Sequence, residues 1–124
     1  MMDNVQRKQL AELVVKKNDN KIPVMVNIGE TNTKAAIELA KHAEFVGASF
    51  ISSTPPYYYN FREEEILFYY ESIIKESSLP FYAYNIPKFA NNPINTKLLR
   101  KLINLGLSGI KDSSFDIRLL CDFI

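Results

Sequence analysis

Four apolar stretches of strand length punctuate the chain: Ile22-Pro-Val-Met-Val-Asn-Ile28, Ala48-Ser-Phe-Ile-Ser-Ser53, Pro80-Phe-Tyr-Ala-Tyr84 and Leu107-Ser-Gly-Ile-Lys111. Each is followed by a polar loop and then a helical pattern. Their centres, Val24, Phe50, Tyr82 and Gly109, lie 26, 32 and 27 residues apart. Antiparallel neighbours can be joined by a two-residue turn, whereas parallel neighbours need a crossover of about a dozen residues or more. A helix in every gap therefore predicts parallel strands in one sheet, in sequential order.

The helical segments carry their own start and stop signals. Thr33 is placed to cap a helix with Ala36, Leu39, Ala40, Ala43 and Val46 on one stripe, and Gly47 suits the left-handed position after its end. Asn60 with Glu63, and Ser113 with Asp116, have capping-box spacing. Glu63-Glu-Glu65 opens a helix, where acidic side chains favour the positive end of the dipole. Gly106 closes the helix through Leu98, Leu99, Leu102 and Ile103, and a leading helix around Val5 to Lys17 precedes the first strand. The order is α(βα)₄. It leaves two α/β architectures open: a small doubly wound sheet, or about half of a βα barrel, which takes eight units and about 250 residues.

Composition narrows the function classes. Of the 124 residues 47% are hydrophobic, enough for one domain over residues 1–124 with a core that needs no disulfide or structural metal. Cys121 is the sole cysteine, which excludes an internal disulfide framework and points to a reducing cytoplasm. Fifteen Lys and Arg against 14 Asp and Glu give a net charge of +1, without the basic stripe that a nucleic-acid partner would need. Apolar runs such as Ile66 to Tyr70 are far short of the ~20 residues of a membrane span. One histidine and no carboxylate cluster at the strand ends argue against a metal site. The glycines at 29, 47, 106 and 109 form neither GxGxxG nor a P-loop, so no cofactor is expected. His42 lies off the apolar stripe of its helix and is expected in solvent, while Cys121, beside Leu119 and Leu120, is expected to pack.

Ligands of parallel α/β folds bind at the C-terminal ends of strands. There the chain places Asn27, Thr54-Pro-Pro-Tyr-Tyr-Tyr59, Tyr84-Asn-Ile-Pro87 and Lys111-Asp-Ser-Ser114. The period of two puts Lys111 on the face of Leu107 and Gly109, so its amine is expected to be partly desolvated. Desolvation disfavours the ammonium form, and a neutral amine attacks carbonyls to form an imine. Tyr84 ends the neighbouring strand, ~4.8 Å away, at a height from which a phenol reaches that amine. Tyr57, Tyr58 and Tyr59 follow two prolines that fix their loop; one of them could stand over the same spot, or the run could pack under a loop or against another subunit.

Taken together, Ile22-Pro-Val, Gly47-Ala48, Pro56-Tyr-Tyr58, Leu79-Pro80, Tyr84-Asn-Ile-Pro87 and Gly109-Ile-Lys-Asp-Ser-Ser114 occur in one order along the chain. This ordered set resembles the pyruvate-dependent Schiff-base aldolases, the family of dihydrodipicolinate synthase and N-acetylneuraminate lyase. The resemblance implies a partial TIM (βα)₈ barrel in which Lys111 forms the imine with pyruvate or another 2-keto acid. It implies Tyr84 as acid/base, Tyr58 as a relay, and substrate contacts from Ser113 and Phe89, in a cytoplasmic homo-oligomer. The family's threonine loop for the pyruvate carboxylate would precede this chain, and its last strands would follow, so four of eight strands are expected here. Synthases of lysine biosynthesis usually carry an arginine at the position of Phe89. The resemblance therefore favours cleavage of sugar acids or neuraminate, with the synthase reaction or a truncated, non-catalytic product as alternatives.

Overall fold

The computed structural model describes residues 2–124. Its elements are α1 (Asn4–Asn18), β1 (Met25–Asn27), α2 (Thr33–Phe45), β2 (Phe50–Ser53), α3 (Glu63–Glu76), β3 (Phe81–Asn85), α4 (Pro87–Ala90), α5 (Thr96–Asn104), β4 (Gly109–Asp112) and α6 (Ile117–Phe123). The four strands form one sheet in the order β1-β2-β3-β4, and all three pairings are parallel. This is the arrangement that the spacing of the apolar stretches demands.

Helices α2, α3 and α5 cover one face. Phe81, Ala83 and Asn85 of β3 are buried, while Tyr82 and Tyr84 between them are half-buried. Ile28, Ile51, Phe81 and Ala83 join Ala36, Leu39, Ala40 and Ala43 of α2, Ile66, Tyr69, Tyr70 and Ile73 of α3, and Leu98, Leu99 and Leu102 of α5 in one apolar cluster. Each such aliphatic side chain removed from water contributes about 1.5–3 kcal/mol. The opposite face carries Met25, Asn27, Phe50, Ser52, Tyr82, Tyr84, Gly109 and Lys111.

Several local expectations are corrected. Asn32, not Thr33, caps α2, accepting from the Ala35 amide. Asn60 and Glu63 form no box; the Arg62 amide instead donates to Glu65 Oε2 at 2.8 Å. Asp116 itself caps α6, accepting from Arg118 and Leu119, rather than serving Ser113. His42 is not a free solvated residue: with its side chain 17% exposed it meets Glu12 Oε1 at 2.9 Å, because α1 packs on that side of α2. Cys121 is exposed, since α6 buries none of its residues. Gly47 and Gly106 do adopt positive φ, 85° and 109°, just past α2 and α5.

Gly109 is required for a different reason. A Cβ built there would lie 2.8 Å from Tyr82 Cε1, because the Tyr82 ring, edge-on to Phe50 at 5.7 Å, extends across the neighbouring strand. Gly109→Ala should therefore lower stability by about 1–3 kcal/mol, the usual range for forced overpacking. Chemical denaturation should show a reduced midpoint with an unchanged slope.

Candidate active site

The register Tyr84↔Lys111 places the last inward-facing side chains of β3 and β4 side by side. The Lys111 Nζ sits 3.5 Å from the centroid of the Tyr84 ring, over its face, and donates to Ser113 Oγ at 3.0 Å. Tyr84's pKa is held below the ordinary phenol value, first by Lys111 and then by the Ser113 hydroxyl, both of which favour the phenolate. Lys111 itself is exposed, contrary to the expected desolvation, because the bare face of the sheet gives it no cover beyond the Tyr84 ring.

Beneath this triplet lies a set of buried polar contacts absent from the sequence reading. Asn85, fully buried, donates from Nδ2 to Asp112 Oδ1 at 2.7 Å and accepts at Oδ1 from the Ile94 amide at 3.0 Å. The Ser113 amide donates to the Asn85 carbonyl at 2.8 Å, and Asp112 Oδ2 accepts from Ser114 Oγ at 2.7 Å. These bonds fix the turn after β4, and with it the position of Ser113. On the other side, Tyr70 OH donates to the Ser53 carbonyl at 2.9 Å, and Tyr69 OH bonds Ser53 Oγ at 2.8 Å. Burial pushes the Tyr69 phenol up to about 12 and raises Tyr70 well above its ordinary value, so both stay neutral hydrogen-bonding groups that anchor the end of β2.

The remaining predicted residues sit at the same rim without joining the triplet. Tyr58 is 75% exposed, with a positive φ of 84° and its ring edge-on to Tyr59 at 4.8 Å. Phe89, on the short helix α4, is 71% exposed, with the Lys88 ammonium 5.7 Å from its ring centroid. A cavity of about 600 Å³ runs between α1 and β1 and reaches Thr54, Tyr57 and Phe89, but Lys111 and Tyr84 do not line it. Among the described residues no three His, Cys, Asp or Glu side chains converge as metal ligands would. Among the described residues no helix is long and apolar enough to cross a membrane either.

Comparison with known proteins agrees with this fold. The model of the dihydrodipicolinate synthetase family matches residues 1–124, and the chain belongs to that family. It is 32% identical over 114 residues to a probable 2-dehydro-3-deoxy-D-pentonate aldolase of Escherichia coli, covering 90% of this chain and 38% of that protein. It is also 32% identical over 113 residues to the 4-hydroxy-tetrahydrodipicolinate synthase of Clostridium perfringens, covering 90% of this chain and 39% of the relative. The crystal structure of a prophage protein of the family from Escherichia coli K12, in complex with pyruvate, superposes with a TM-score of 0.95 at 29% identity, over 99% of this chain and 42% of the other. The chain thus spans about two fifths of these relatives and is a partial (βα)₈ barrel.

The coupling of Tyr84 to Lys111 has a direct spectroscopic consequence. Ultraviolet difference titration, with Tyr84→Phe as the subtraction control, should show one phenol ionising below the others. In Lys111→Ala that phenol should move upward in pH, because its largest stabiliser of the phenolate is gone.

Proposed function

We propose that the protein carrying this chain is a pyruvate-dependent Schiff-base aldolase or lyase, with Lys111 as its nucleophile. The observation that supports the reading most is the Lys111 amine standing over Tyr84 while bonded to Ser113. Lys111 and Ser113 favour the phenolate of Tyr84, and the phenolate oxygen is the group that accepts the ammonium proton, leaving a neutral amine beside a neutral phenol. The neutral amine then adds to the keto carbon of pyruvate, and loss of the carbonyl oxygen as water leaves the imine. The imine makes the pyruvate methyl acidic, and its deprotonation gives an enamine that attacks an aldehyde. Cleavage runs through the same steps in reverse. Tyr84 shuttles the protons, Tyr58 relays them, and Ser113 holds the amine and the bound keto acid.

Phe89 favours a hydroxylated aldehyde over one bearing a second carboxylate. Its exposed ring stands at the rim and offers no charge to a carboxylate. The preferred substrates are therefore 2-keto-3-deoxy sugar acids or N-acetylneuraminate, with the synthase reaction as the alternative reading. Residues 1–124 act as a single domain within a cytoplasmic homo-oligomer, a state supported by the exposed aromatics Tyr58, Tyr59 and Phe68.

Borohydride added with pyruvate should convert the imine to a stable secondary amine on Lys111, located by peptide mass mapping, and Lys111→Ala should abolish it. In the active protein Tyr84→Phe should slow turnover by about 10²–10⁴-fold while leaving most pyruvate binding. Labelling spread evenly over the surface lysines would overturn the assignment. Parallel assays with a keto-deoxy sugar acid and with an amino-acid semialdehyde separate the two substrate readings.

A further inference from the structure

The loop that carries Tyr57-Tyr-Tyr59 is held by one side chain from across the rim. Asn92, only 5% exposed, donates through Nδ2 to the carbonyls of Pro56 at 2.7 Å and Tyr59 at 2.8 Å. Its Oδ1 accepts from the Phe61 amide at 2.9 Å. Three bonds thus use both amide protons and the carbonyl oxygen of Asn92. They bracket Tyr58, whose φ of 84° is disfavoured for a residue with a Cβ. Such a conformation persists only where its surroundings fix it. The Tyr58 ring cannot do so, because it is exposed and touches Tyr59 alone among the aromatic contacts.

Asn92 is itself tied to the lysine strand. The Ile94 amide donates to Asn85, Asn85 donates to Asp112, and Asp112 follows Lys111 in β4. Hydrogen bonds and the short backbone stretch Asn92-Pro93-Ile94 therefore connect β4, through the segment after β3, to the tyrosine loop after β2. An aspartate at 92 would keep the acceptor for Phe61 but turn a second acceptor on the carbonyls of Pro56 and Tyr59. A leucine would satisfy none of the three groups.

We infer that Asn92 is the positioning residue for Tyr58, fixing the left-handed loop and so where the Tyr58 phenol stands relative to Lys111 and Tyr84. The inference rests on the reading of Tyr58 as a relay, and its test separates the two. The rate of borohydride-trapped pyruvate on Lys111 is measured for the wild type, Asn92→Ala, Asn92→Asp, Tyr58→Phe and the Asn92→Ala/Tyr58→Phe double variant. Backbone amide exchange and the Tyr58–Tyr59 ring contact are followed by NMR.

Asn92→Ala, Asn92→Asp and Tyr58→Phe should each slow trapping by about tenfold, and the double variant should be no slower than Tyr58→Phe, because Asn92 acts through Tyr58. The Phe61 amide should exchange faster in Asn92→Ala while the Ile94 amide, held by Asn85, stays protected. Multiplying effects in the double variant, or a wild-type rate in Asn92→Ala beside a slow Tyr58→Phe, would overturn the inference. Should Tyr58→Phe match the wild type, or the wild type not trap, the relay or imine reading fails by itself. Asn92 is then judged by the ring contact, whose loss in Asn92→Ala supports its role and whose retention overturns it.

Discussion

Parallel pairing of β3 with β4 in a single register is the constraint on which the site depends. Adjacent strands lie ~4.8 Å apart and successive side chains alternate between faces, so register decides which groups meet. Tyr84 opposite Lys111 brings a phenol and an amine together on the open face, and Asn85 opposite Asp112 brings an amide and a carboxylate together on the helix-covered side. A slip of one residue would bury Lys111 and expose Asp112. The half-buried bond between Asn85 and Asp112 therefore fixes the pair on the other face, and Gly109 serves the same register by leaving room for the Tyr82 ring.

Most of the buried or half-buried groups that organise the rim from below are neutral, the Asp112 carboxylate and the Arg7–Glu30 ion pair at the end of β1 being the charged members. Asn85, Asn92, Tyr69 and Tyr70 are buried and hydrogen-bonded, and none carries charge at neutral pH. Neutral amides and phenols avoid the desolvation penalty that a buried ion would carry. The chargeable pair, Tyr84 and Lys111, stays on the side reached by solvent.

Much of this was legible in the sequence because it depends on local periodicity. The four strands, their parallel order, the left-handed glycines after α2 and α5, and the nearness of Tyr84 to Lys111 all follow from spacing and alternation. Contacts between residues far apart in the chain left no such signal. Asn92 bonds groups more than 30 residues away, and an asparagine beside a proline reads simply as a turn. His42 looked solvated because its own helix says nothing of α1 packing beside it. Lys111 looked desolvated because alternation gives the face a side chain occupies but not whether anything covers it. The short helix α4 was missed because four residues are too few for a helical period.

The central claim is that Lys111 and Tyr84 form one unit, the amine holding pyruvate as an imine and the phenol moving its methyl protons. Exchange of those protons with deuterated solvent, followed by NMR on pyruvate alone, tests it without any aldehyde. The account predicts that the protein catalyses deuterium entry into the methyl group, that Lys111→Ala stops it, and that Tyr84→Phe slows it while the imine still forms. Exchange that continues undiminished in Lys111→Ala would contradict the account.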